Sequence, residues 1–168
     1  MKKLFIDPNV NNGDLIISLK IMQGNLNPDT QTDFINHMLQ ARFLCPAIFD
    51  PAPEINPEGV AVLGDDAKVM LSSLSNAKEE MYLVAYTDAK EAREHKQAEN
   101  QHTVACTYFD FCTMVLQENS PYAGFVINPF SENIVVSREI MLNINKHVRL
   151  KKEVQIPREE NMPGGMPN

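Results

Sequence analysis

Two short apolar runs, Phe125-Val126-Ile127 and Ile134-Val135-Val136, are separated by a polar link that begins Asn128-Pro129 and ends at Asn133. β-Branched and aromatic runs of this length read as strands, and a polar link led by Asn-Pro reads as a turn. The unit therefore constrains the chain to a sheet-containing body that presents this turn. It carries no nucleophile, no metal cage and no glycine-rich phosphate loop, so it speaks for a fold rather than for a reaction.

With 168 residues the chain has the length of one ordinary domain and can bury a core without disulfide or metal staples. Its 43% hydrophobic and 22% charged residues are those of a globular protein. A net charge of -7 argues against nucleic acid as a partner, because phosphate binding needs a clustered Lys/Arg surface, and an anionic membrane repels the chain likewise. The opening Met1-Lys2-Lys3-Leu4-Phe5-Ile6 is like the start of a signal peptide, but Asp7 and Pro8 end the apolar run too early, and a cytoplasmic protein is expected. Cys45, Cys106 and Cys112 form no Cys-x-x-Cys pair and fit a reducing compartment.

Along the chain, Leu15, Leu19 and Met22 with Ile16 give one apolar helical face over 14–23, ended by Gly24. A second helix starts at Pro28 with Thr30 and Asp33 as a capping-box-like pair, its core side being Phe34, Ile35, Met38 and Leu39, so the two form a helical hairpin. The run 43–49 reads as a strand that Pro46 should confine to an edge or a bulge. A Pro-rich loop follows over 50–59, then a hairpin of strands 60–63 and 68–74 about Gly64-Asp65-Asp66. The strand 81–86 is apolar on both faces and expected to be central. Asp88 with Glu91 caps a charged helix over 89–99 whose thin apolar stripe is Ala89, Ala92 and Ala98. After a strand at 103–106, Thr107 and Asp110 open a helix with Phe109, Cys112, Val115 and Leu116 facing the core. Ser137 then caps a last helix with Ile140, Met141, Ile144 and Val148 on one face and a basic end at 146–152. The expected organisation is one domain over 1–150 and a polar Pro/Gly-rich tail over 151–168.

Strands alternate with helices in the second half, while the middle holds a tight hairpin. The expected class is therefore α/β, or α+β, with a mixed sheet of about five to seven strands, flanking helices and the N-terminal helical hairpin. Read together, the 28–42 helix running into Phe43-Leu44-Cys45-Pro46, the strand ending Tyr86-Thr87-Asp88, and Gly124-Phe125-Val126-Ile127-Asn128-Pro129-Phe130 with Asn133 resemble the N-terminal domain of the SseB-like, enhanced-serine-sensitivity proteins of bacteria. The resemblance spans roughly 14–150. It implies a single mixed-sheet domain in a cytoplasmic bacterial protein, and it carries over no catalytic residue. Longer members of the family continue into a second domain, where this chain has only the short polar segment after Leu150.

Two places stand out as binding candidates. In the first, Asn128 would hold the backbone two residues on, Pro129 would fix the turn, and Phe130 would sit at a rigid tip lined by Glu132 and Asn133. The competing reading is a plain hairpin turn with Phe130 folded onto the core. The second is Tyr86-Thr87-Asp88, where a strand end enters a helix, the position at which open α/β sheets bind ligands. Its competing reading is a helix cap. The cysteines read as packing, and His37, His95, His102 and His147 read as surface residues with no ligand spacing, so neither metal nor cofactor is expected. Nine methionines could give an adaptable binding surface, although methionine is more often core filler. The leading expectation is a non-catalytic module that binds another protein or itself through the 128–133 turn. A small-metabolite binder or weak enzyme with a pocket near Tyr86, Asp88 and the 50–59 loop is the alternative, and thiol chemistry at Cys106 or Cys112 a third reading.

Overall fold

The structure is a computed structural model, and it describes residues 2–96 and 101–155. The chain divides into two compact units, Met1–Val136 and Ser137–Asn168. Nine strands are present among the described residues: β1 (Lys2–Phe5), β2 (Arg42–Asp50), β3 (Val60–Leu63), β4 (Lys68–Leu71), β5 (Ser73–Ser75), β6 (Met81–Ala85), β7 (His102–Thr107), β8 (Tyr122–Ile127) and β9 (Ile134–Ser137). The helices are α1 (Gly13–Gly24), α2 (Pro28–Gln40), α3 (Ala89–Glu94), α4 (Tyr108–Val115) and α5 (Arg138–Gln155). The class is mixed α/β as expected. Two strands exceed the expected number, because the N-terminal lead forms β1 and the single strand expected over 68–74 is broken into β4 and β5.

Ser72 makes that break. Its N–H donates to the Pro46 carbonyl on β2 at 2.8 Å, while its carbonyl accepts from Val84 on β6 at 3.3 Å, so the chain changes partner at this residue. The strands lie in the orders β1-β3, β4-β2-β7 and β5-β6-β8-β9. Reciprocal bonds between Leu44 and Tyr86, at 2.9 and 2.8 Å, join the second group to the third. The hairpin expected over 60–74 does not form: β3 pairs antiparallel with β1, and β4 pairs antiparallel with β2. The turn at Gly64 is present, its carbonyl accepting from Ala67 N–H at 3.1 Å, but the strands it joins go to different partners.

Nor is β2 an edge strand despite Pro46, since it lies between β4 and β7. Within an antiparallel strand the N–H and C=O of one residue point to the same side, so Pro46 faces the side on which Leu44 meets Tyr86. The β4 ladder on that side begins only at Ala47, and Ser72 needs no more than the Pro46 carbonyl. The missing donor of Pro46 falls where no acceptor is waiting. β6 is central, as its two apolar faces suggested, between β5 and β8, and its pairing with β8 is parallel.

The core holds Phe43, Phe111, Phe125 and Tyr108, all fully buried. Phe111 and Phe125 stack at 4.3 Å with an 11° interplanar angle, and Phe43 packs against both at 6.1 and 6.2 Å. Each such ring contributes about 1.5–3 kcal/mol by burial. The buried side of α4 is Tyr108, Phe111 and Val115, while Phe109 is half exposed. This corrects the expected stripe: α4 carries two overlapping apolar stripes, and the one that delivers Phe111 onto Phe125 is buried. Thr107 and Asp110 form the expected capping box. α2 is capped three residues earlier than expected, by Asn27 with Thr30, which leaves Pro28 at the first helical position.

α3 ends at Glu94, and residues 97–99 of its expected span lie outside the described residues. In the second unit, Ser137 Oγ accepts from Ile140 N–H at 3.2 Å at the start of α5, as a cap should. Met141 and Ile144 are buried and Ile140 is exposed, so the apolar stripe of α5 is narrower than expected. The helix runs to Gln155, and the expected tail lies outside the described residues from 156 on. No described helix is long and apolar enough to cross a membrane.

Candidate functional site

The two candidate places of the sequence meet at one point. Parallel pairing of β6 with β8 brings Ala85 level with Ile127, so the residues that follow, Thr87 and Asn128, emerge side by side at the carboxyl ends of neighbouring strands. Asn128 adopts φ 46° and Asn133 φ 54°, left-handed conformations that Asn tolerates better than other non-glycine residues. Between them the chain closes on one acceptor: the Asn128 carbonyl takes the N–H of Ser131 at 3.0 Å and of Asn133 at 2.8 Å. The turn is held by the Asn128 main chain, not by its side chain as the sequence reading had it.

The side chain of Asn128 is instead turned inward, and the residue is only 3% exposed. Its Oδ1 accepts from Thr87 N–H at 3.0 Å. Its Nδ2 donates to Thr87 Oγ1 at 2.9 Å and to Glu132 Oε1 at 2.7 Å. Thr87, 1% exposed, is satisfied all round, because its hydroxyl also donates to Asp88 Oδ2 at 3.1 Å and its carbonyl accepts from Asn12 Nδ2 at 2.8 Å. Asn12 reaches the Arg42 carbonyl as well, at 2.8 Å. It stands at the cap position of α1 without making a side-chain cap bond there, having turned to tie the start of β2 to the end of β6. Asp88 caps α3 through Oδ1, which accepts from Glu91 N–H at 2.9 Å. Glu91 does not return a capping bond to Asp88, because its Oε1 takes the hydroxyl of Ser131 at 2.5 Å.

Outside this buried bracket lies a row of rings. Tyr86, 3% exposed, stacks on His95 at 6.2 Å, and His95 meets Phe130 at 4.6 Å. Phe130 remains 50% exposed, so it is neither folded into the core nor free of it: it leans on His95 and shows its other face to solvent. His95 Nε2 is 3.6 Å from Glu91 Oε2, an atom that is itself buried with no hydrogen-bond partner among the described residues. Burial and the nearby Glu91 carboxylate push the Tyr86 phenol up to about 12. Between the bracket and α1 is a cavity of about 160 Å³ whose polar walls include Lys20, Asp88, Lys90 and Glu132.

His95, which reads as a surface histidine in the sequence, and Ser131 are not among the binding candidates that the sequence offers. The spacing of His95, four residues after Glu91 and at the C-cap of α3, is the signal that could have tied it to Glu91. The 50–59 loop lines neither this cavity nor the larger one on the opposite side of α3. Asn56 orders that loop, its Oδ1 accepting from Glu58 and Val60 N–H at 3.0 and 2.9 Å. Gly59 there has φ 81° and passes close to the Ile6 carbonyl, a backbone that a side chain would strain. Cys45 and Cys106 are buried, and burial, with the neighbouring Cys106, pushes the Cys45 thiol well up. Among the described residues no group of three or more His, Cys, Asp or Glu could hold a metal ion.

Residues 19–140 match the family described as SseB protein N-terminal domain. No curated protein and no solved structure matches the chain.

Proposed function

The chain belongs to the SseB N-terminal domain family, and on that premise we propose that it is a non-catalytic interaction module of the bacterial cytoplasm that docks a protein partner, or a second copy of itself, on the tip around Phe130. One observation carries this reading. The polar groups at the strand ends are used internally, Thr87 and Asn128 above all, while Phe130 stands half exposed against His95. Catalysis needs polar groups left over for a substrate, whereas recognition needs a rigid apolar side chain at a loop tip. Holding Phe130 against His95 before binding lowers the ordering cost that association otherwise carries.

The test compares the wild-type protein with Phe130→Asp and Phe109→Asp in co-purification from the native host. Phe109, on α4, is as exposed as Phe130 and serves as the control. A partner retained by Phe109→Asp and lost by Phe130→Asp supports the tip. Equal retention by both variants removes it.

The second reading, a small-metabolite binder near Tyr86 and Asp88, is favoured by the 160 Å³ cavity beside Asp88 and Asn128. A ligand present at about a hundredfold over its Kd should stabilise the fold by about 2.7 kcal/mol. A panel of amino acids, nucleotides and sulfur compounds without any rise in melting temperature speaks against it.

A further inference from the structure

The other face of α3 borders a larger cleft, of about 350 Å³. Ala89, Ala92, Arg93 and Lys96 turn toward it, whereas Lys90, Glu91 and Glu94 line the cavity at the tip. The floor is Leu44 and Pro46 of β2, beneath which Leu44 packs with Val84 and Tyr86. α3 buries no residue fully, and its small Ala89 and Ala92 line the cleft, Ala92 packing against the Leu44 cluster.

The far wall is preset. Asp7 holds φ 49°, which a non-glycine residue adopts only when its surroundings enforce it. Here they do: Asp7 N–H donates to the Thr103 carbonyl at 2.8 Å, its Oδ1 accepts from Thr103 N–H at 2.8 Å, and its Oδ2 lies 3.1 Å from His102 Nδ1. Pro8 and Asn9 follow directly and form the wall.

The charge of the cleft runs against that of the chain. The protein carries a net charge of -7, yet Arg93 and Lys96 stand together at this mouth. Among the described residues neither has an ion-pair partner. Among the described residues the single carboxylate lining the cleft is Asp7, and both its oxygens are engaged.

We propose that this cleft binds a small organic anion, an apolar body lying over Leu44, Pro46 and Ala92 with a carboxylate or phosphate head held by Arg93 and Lys96. Its volume lies at the low end of the ~300–1,000 Å³ range of small-molecule sites, which suits one metabolite-sized molecule. Arg adds a planar fork that matches either oxyanion. None of the residues lining the cleft belongs to the docking tip, so the two sites can be tested separately.

The experiment follows backbone amide shifts of the full chain by NMR on titration with pentanoate, pentyl phosphate, pentylamine and inorganic phosphate. Pentanoate or pentyl phosphate should shift the amides around Ala92, Arg93 and Thr103, and which of the two binds more tightly identifies the head group. Arg93→Gln with Lys96→Gln should weaken that binding tenfold or more, and Ala92→Leu, which fills the cleft without changing charge, should do the same. Circular dichroism on each variant confirms that it is folded. The proposal is overturned if pentylamine binds as well as the anions, if inorganic phosphate binds as tightly as the tailed probes, if Ala92→Leu leaves affinity unchanged, or if no probe binds at millimolar concentration.

Discussion

Thr87 and Asn128 exchange two buried hydrogen bonds of opposite sense, main chain to amide oxygen at 3.0 Å and amide nitrogen to hydroxyl at 2.9 Å. The pair locks the end of β6 to the turn after β8. Asn128→Ala would leave the Thr87 N–H buried without an acceptor, and the full desolvation cost of that group falls on the fold. Urea denaturation should show a loss of about 2–4 kcal/mol. A loss within about 0.5 kcal/mol, the scale of an ordinary surface substitution, would contradict the bracket.

Tyr86 should titrate late. Burial, and then the Glu91 carboxylate, raise its phenol from 10.0 to about 12. A group whose pKa is raised on folding contributes stability that is fully present below its unfolded value and lost as pH climbs through the folded one, here between 10 and 12. The difference in phenolate absorbance between wild type and Tyr86→Phe isolates this residue from the other tyrosines. Glu91→Gln should bring the transition down, and an unchanged midpoint would show that Glu91 does not act on Tyr86.

At the acid end the sensitive group is Asp7. Burial pushes its carboxyl up, but the Thr103 N–H, His102 and the Thr103 hydroxyl together outweigh burial and hold it below the usual 3.8. A depressed carboxylate contributes stability that is present above its unfolded pKa and lost as pH falls through the folded one. Asp7 is more than half exposed, so solvent screening keeps the contribution under about 1 kcal/mol. Asp7→Asn should flatten stability against pH below 3.8, and a slope equal to that of the wild type would contradict the assignment.

Thiol reactivity should follow burial. Only the thiolate attacks, and Cys45 is both buried and held protonated, with Cys106 buried beside it. Cys112, partly exposed on α4, should react with Ellman's reagent first, and Cys112→Ser should leave a native protein that labels only as fast as it unfolds. Rapid labelling of Cys106 in that variant would reopen sulfur chemistry at this strand.

What was legible in the sequence was local. The Thr107–Asp110 box spans three residues, and the Asp88 cap reaches Glu91 within the same distance, so both could be read from spacing. β2, β6 and β8 announced themselves as apolar runs. Pairing was not legible, because the Gly64 turn is equally compatible with a hairpin and with two strands that part, and β1 and β2 compete for its arms. For the same reason the strand-end site reads in the sequence as two separate candidates. Thr87 and Asn128 are 41 residues apart, and only the parallel register of β6 with β8 reveals that Asn128 serves Thr87 rather than its own turn. His95 looked like a surface histidine because nothing in its neighbourhood predicts that Phe130 will arrive beside it.

If Phe130 docks a partner from its seat on His95, a partner must come within reach of position 130. A photo-crosslinking phenylalanine analogue is placed at position 130, and separately at position 109, and each protein is irradiated in the native host. Position 130 should give a discrete adduct of one defined mass, a partner or a second copy of the chain, and position 109 none. The same adducts from both positions, or none from position 130, would contradict docking at Phe130.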